Sequence, residues 1–151
     1  MSTTITPSTL TVQIKEEITI NGTAYDQTVS KQLTGIKEVS KRIHNIPAAT
    51  TVTLNTFASA GDGSNFDVEE VKYIRLTNLD DTENLIVTTA FSATSGALEI
   101  KAGCSITLFS PNGLGATSKA AITTQDDIET LFVRNNHGGN DVDLEVFIAT
   151  T

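Results

Sequence analysis

The chain has 151 residues, one cysteine, 19% charged and 38% hydrophobic residues, and a formal net charge of −8. That length suits one domain whose core needs no metal or disulfide staple, and a lone cysteine excludes an intrachain disulfide. The densest basic stretch is Lys37, Lys41 and Arg42, with Glu38 among them, so a phosphate-wrapping face is excluded, an anionic membrane surface is disfavoured, and no apolar run reaches the length of a membrane span.

Residues 1–9 are rich in Ser and Thr and read as a flexible N-terminal arm. They lack a basic stretch followed by an apolar one, so no secretory signal is expected and the product reads as cytoplasmic. Residues 10–33 read as a hairpin, with Leu10, Val12, Ile14, Ile18 and Ile20 alternating up to Asn21-Gly22. Asn-Gly favours a type I′ turn, because both residues tolerate positive φ. Tyr25, Val29 and Leu33 follow on the return run. Residues 36–46 fit either a helix, through Ile36, Val39 and Ile43, or a strand over 38–46, and Pro47 favours the strand by pushing Ile46 to extended geometry.

Further strands are expected over 50–57, 71–78, 85–91, 98–100, 105–109, 120–122, 128–135 and 142–149. Turns are expected at Gly61-Asp62-Gly63, 80–84, Ala102-Gly103, 111–115 and 137–140. The 25 threonines, β-branched and uncharged, fit pleated strands with a polar outer face and suit an extracellular or particle-surface protein. Together these give an all-β chain: an antiparallel β-sandwich, jelly-roll-like, of nine or ten short strands with a protruding N-terminal hairpin or arm. Residues 10–151 form one domain, with 36–149 as the main sandwich.

Catalytic chemistry has little to stand on. Nucleophilic catalysis needs a base beside a hydroxyl or thiol, and the only histidines, His44 and His137, have no partner pattern. Two histidines and one cysteine far apart make a zinc site improbable. Three loops are rich in carboxylates: Asp62, Asp67, Glu69 and Glu70; Asp80, Asp81 and Glu83; Asp126 and Asp127. Each could offer oxygens to Ca²⁺, but none has EF-hand spacing, and solvated turns are the plainer reading. Trp is absent and aromatics are few, which argues against a sugar-cleaving cleft and weakens a lectin reading. Cys104, taken as part of the apolar run with Ser105–Phe109, reads as a small packed side chain. No cofactor is expected.

The second half has a cadence: Val71–Asn78 with Leu79-Asp80, Leu85–Val87, Leu98–Ile100 with Lys101-Ala102-Gly103, Ser105–Leu108, and Val142–Ile148. It resembles the small β-sandwich virion structural proteins of tailed bacteriophages, over about residues 36–149. The resemblance implies a non-enzymatic virion protein made in the host cytoplasm, most of all a capsid decoration (cement) protein that stabilises the shell by symmetric surface binding. Its expected partners are the major capsid protein or other virion proteins and further copies of itself, as a homotrimer, with no direct nucleic-acid or membrane contact. A neck or tail accessory role, or a receptor- or carbohydrate-binding module, is the alternative. The interface is expected on the hairpin, at Ile14, Ile18, Ile20 and Tyr25.

Overall fold

The computed structural model of the chain describes residues 5–58, 65–90, 95–109, 115–117 and 125–151. Those residues form strands, turns and irregular segments, with no helix among them. In chain order the strands are β1 (Ser8–Glu16), β2 (Thr19–Ile20), β3 (Thr23–Ala24), β4 (Gln27–Ile36), β5 (Glu38–Ile46), β6 (Thr51–Ala58), β7 (Phe66–Asp67), β8 (Val71–Asn78), β9 (Leu85–Ala90), β10 (Ser95–Ile100), β11 (Ser105–Phe109), β12 (Gly115–Thr117), β13 (Gln125–Asp127), β14 (Thr130–Asn135) and β15 (Val142–Thr150). The strand expected over 120–122, the turn at 61–63 and most of the turn at 111–115 lie outside the described residues.

The first four strands make one long hairpin. β1 pairs with β4 from Thr9↔Thr34 to Glu16↔Gln27, and β2 pairs with β3 in the same register at the tip. The turn is Asn21-Gly22, with φ of 51° and 81°, the geometry that a type I′ turn demands. The hairpin is longer than its sequence suggests. It starts at Ser8, inside the expected arm, and ends at Ile36, past Leu33.

The other long strands form two facing antiparallel sheets, one ordered β11-β8-β15-β5 and the other β10-β9-β14-β6, with β7 added parallel to β6. Of these eight strands taken in chain order, the first sheet holds the sixth, third, eighth and first, and the second holds the fifth, fourth, seventh and second. Every link between them except β9–β10 therefore crosses from one sheet to the other. The core lies between the sheets: Ile74, Leu76, Leu144, Val146 and Ile148 meet Leu54, Leu85, Val87, Leu131 and Val133. Alternation selects them, since in β15 Val142, Leu144, Val146 and Ile148 are buried while Asp143 is exposed.

A second, smaller core lies on the outer side of the β8–β15 sheet. There Leu33 and Ile36 from the hairpin pack with Tyr73 and Ala149, flanked by Leu10, Val12 and Phe147. The base of the hairpin is thus folded back onto the sandwich. Lys37 alone separates β4 from β5, and its N–H donates to the Thr150 carbonyl at 2.9 Å. Gly35 stands before it with φ +80°, a conformation that side-chain-bearing residues rarely adopt.

Two buried asparagines tie the loops at one end of the sandwich. Asn78, at the end of β8, donates to the carbonyls of Glu83 and Ile100 and accepts from the Asp80 N–H. Asn135, at the end of β14, donates to the carbonyls of Ile46 and Asn140 and accepts from the His137 N–H. Both are fully buried, and each amide pairs loop groups that would otherwise be left without partners.

Candidate functional site

The hairpin has two unlike faces. Residues directly opposite share a face, so Leu10/Leu33, Val12/Lys31, Ile14/Val29, Glu16/Gln27, Ile18/Tyr25 and Ile20/Thr23 lie together. The other face carries Thr11/Gln32, Gln13/Ser30 and Lys15/Thr28, all polar. The apolar face starts inside the molecule, where Leu33 is buried, and runs outward along the hairpin. Beyond Val12 it is uncovered: Ile14, Ile18, Ile20, Tyr25 and Val29 are 46–60% exposed. The four residues expected at an interface thus stand on one face with Val29, in two apolar groups separated by the Glu16/Gln27 pair.

A second exposed apolar place lies on the outer side of β5. β5 is an edge strand, and its register with β15 sets Val39 beside Ala149 and Ile43 beside Glu145. Alternation alone would turn Val39 and Ile43 inward, yet both are more than half exposed. Between them Lys41 pairs with Glu145 at 2.9 Å, and Arg75 pairs with the same carboxylate from β8 while lying over the Phe147 ring. The hydrogen bond from Lys41, with help from Arg75, holds the Glu145 carboxyl below its ordinary pKa.

The groups considered for chemistry are mostly engaged in structure. Glu83 is buried, with its carboxylate against Nε2 of His137. Asp80 caps its own turn, accepting from the N–H groups of Thr82 at 2.8 Å and Glu83 at 2.7 Å, and these bonds lower its pKa. Asp67 accepts from the Glu69 N–H in the same way. Among the described residues no three His, Cys, Asp or Glu side chains converge as a metal site would require. Asp62 and the side chains of Asp126 and Asp127 lie outside the described residues. Cys104 is not packed as expected. It sits exposed at the end of the Lys101–Cys104 turn, its N–H donating to the Lys101 carbonyl, before β11 begins.

One site was missed in the sequence. The residues that β5 does turn inward are Ser40, Arg42 and His44, level with the core residues Ile148, Val146 and Leu144 of β15. They do not meet the facing sheet in close packing. A cleft of about 560 Å³ opens there, walled by these side chains and Glu38 of β5 and by Thr53, Asn55 and Thr56 of β6, with Leu54, Val146 and Ile148 among its lining, so Arg42 shares it with a carboxylate. Burial and the neighbouring Arg42 lower the pKa of His44, favouring its neutral form. Asn55 Oδ1 is buried and accepts no hydrogen bond from the described residues. The available signal was the run Ser40-Lys41-Arg42-Ile43-His44, polar at every even position.

No family model and no curated protein matches the sequence. Among solved structures the whole chain aligns with 96% of a chain from the work described as "Bacillus endospore appendages form a novel family of disulfide-linked pili", at 8% identity and a TM-score of 0.46.

Proposed function

We propose that this protein is a non-enzymatic structural component of a tailed-phage-type virion, of the capsid decoration (cement) kind, assembling as a homotrimer through its hairpin. The observation that carries the reading is the apolar hairpin stripe that continues past the sandwich into solvent. An isolated hairpin with one apolar face is marginal in water and gains most when that face is covered. The occupant proposed is a second copy. Within one chain the base of the stripe already packs on the outer side of the β8–β15 sheet, and Val39 and Ile43 extend that outer side with more uncovered apolar surface. The distal stripe of one copy on the β5 side of the next repeats the same kind of contact.

The strand order, in which seven of eight sandwich strands are reached by crossing or follow from a single hairpin link, supports the jelly-roll reading. Decoration then follows from mass action: a symmetric oligomer that binds only the assembled shell stabilises it in proportion to its affinity. The deciding experiment is light scattering during size exclusion, on the native chain and on Ile18→Asp. The reading expects a trimer for the first and a monomer for the second. A native monomer at high concentration, unable to bind shells of the major capsid protein, overturns it.

A further inference from the structure

The uncovered hairpin face and the uncovered outer side of β5 carry the same pattern with opposite charge. On the hairpin Ile14, Glu16 and Ile18 follow at alternate positions, and all three are exposed. On β5 Val39, Lys41 and Ile43 do the same. Alternate residues of a strand lie about 7 Å apart, so each pattern spans about 13 Å and the two superpose. The charges are also complementary in supply. Glu16 makes no ion pair among the described residues. Around Lys41 two cations, Lys41 and Arg75, share the one carboxylate of Glu145, which leaves that cluster a positive charge in excess.

A carboxylate covered by apolar surface alone loses its water and gains no partner, so whatever covers Ile14 and Ile18 must offer Glu16 a cation. We propose that the distal hairpin of one copy lies on β5 of the next with Glu16 against Lys41, flanked by contacts of Ile14 and Ile18 with Val39 and Ile43. The proposal rests on the self-assembly reading above and gives that assembly a register. The pattern is symmetric about its charge, so either strand direction makes the same kinds of pair. Because the hairpin and β5 are different surfaces, the contact is heterologous, the kind from which closed rings are built.

Lys31, exposed beside Val12 on the same hairpin face, is the competing cation. Two hairpins packed face to face about their Ile14/Val29 pairs would join Glu16 to Lys31 in a two-fold dimer. That arrangement sets Ile18 and Tyr25 over Leu10 and Leu33, and Leu33 is already covered by its own sandwich. The outer side of β5 has no such cover, since Val39 and Ile43 are 53% and 61% exposed.

The test is charge reversal on the full chain, read by light scattering over a dilution series, with Tm measured for each variant. Glu16→Lys and Lys41→Glu each oppose like charges and weaken association about tenfold or more. The double variant restores the pair with reversed polarity and returns to within about threefold of native. It carries the same disturbance at Glu145 as Lys41→Glu alone, so its recovery does not come from the fold. Glu17→Lys, one residue on and on the opposite hairpin face beside Lys15, associates as the native chain does, and so does Lys31→Glu. Undiminished association of either Glu16→Lys or Lys41→Glu, or a double variant no better than these, overturns the register while assembly itself stands. Rescue of Glu16→Lys by Lys31→Glu instead overturns it in favour of the two-fold dimer. A native chain that stays monomeric removes the assembly reading and the register with it.

Discussion

Ile14 and Val29 stand directly opposite one another on the hairpin, on the face whose inner end is buried, yet each is about half exposed at 46% and 48%. Cross-strand apolar pairs stabilise a hairpin only modestly while water reaches them. The pair therefore marks where the internal packing of the stripe ends and its outward surface begins.

A charge placed beyond that point should act on assembly and spare the fold. Ile18→Asp and Ile43→Asp each add a carboxylate to exposed apolar surface. Each is expected to leave the unfolding free energy within about 0.5 kcal/mol of native when measured on monomer. Each is also expected to dissociate the oligomer. Urea titration at low concentration, beside light scattering, separates the two effects.

A substitution on the inner part of the stripe should do the opposite. Leu33 is 1% exposed and packs with Tyr73 and Ala149. Leu33→Ala is expected to cost about 2–5 kcal/mol, the usual range for a buried leucine. Because the hairpin base loosens, amide exchange should rise first along β1 and β4, and later in β8 and β15.

The tip turn can be tested without touching either surface. Gly22 has φ +81° and nothing within 4 Å of where a Cβ would sit. Gly22→Val is therefore penalised by backbone conformation alone, by about 1–2 kcal/mol. The loss should show as fraying of β2 and β3, with the melting of the sandwich core unchanged.

Asn135 offers a test of the loop ties. Asn135→Leu leaves the carbonyls of Ile46 and Asn140 and the His137 N–H without this partner. Each buried group so orphaned costs about 1–3 kcal/mol, so a fall of several degrees in Tm is expected by calorimetry. Asn135→Asp restores the acceptor but loses both donated bonds, and should remain well below native.

Acid should weaken the fold in two stages. His44 has a folded-state pKa below 6.5, so its contribution is complete above 6.5 and declines as pH falls below that value. Glu145 has a folded-state pKa below 4.5, so the bonds to Lys41 and Arg75 contribute fully above 4.5 and are lost on further acidification. His44→Asn should flatten the first decline and Glu145→Gln the second, as read from urea midpoints between pH 7 and 3.

Much of the framework was legible because it rests on local chemistry. Asn21-Gly22 specifies its turn by φ alone, and β15 displays its buried face by alternation over nine residues. The orientation of β5 was not legible. Its even and odd positions both form plausible strand faces, and only pairing with β15, about a hundred residues away, decides that Arg42 points inward and Ile43 outward. The cleft inherits that difficulty, since it needs both β5 and β6 in place before Arg42 and Asn55 become neighbours of one space. Cys104 was misread because the apolar run beside it begins one residue later, after a turn that leaves the thiol in solvent.

The link at Lys37 has a mechanical consequence. The hairpin joins β5 through that one residue, β5 is laddered along its whole length to β15, and β15 lies between β5 and β8. Load applied at the tip thus enters β5 and the ladder it shares with β15, with no slack loop to absorb it. The projecting strands behave as a lever whose fulcrum is the middle of a sheet, so a neighbour that grips the tip also senses the position of the whole body.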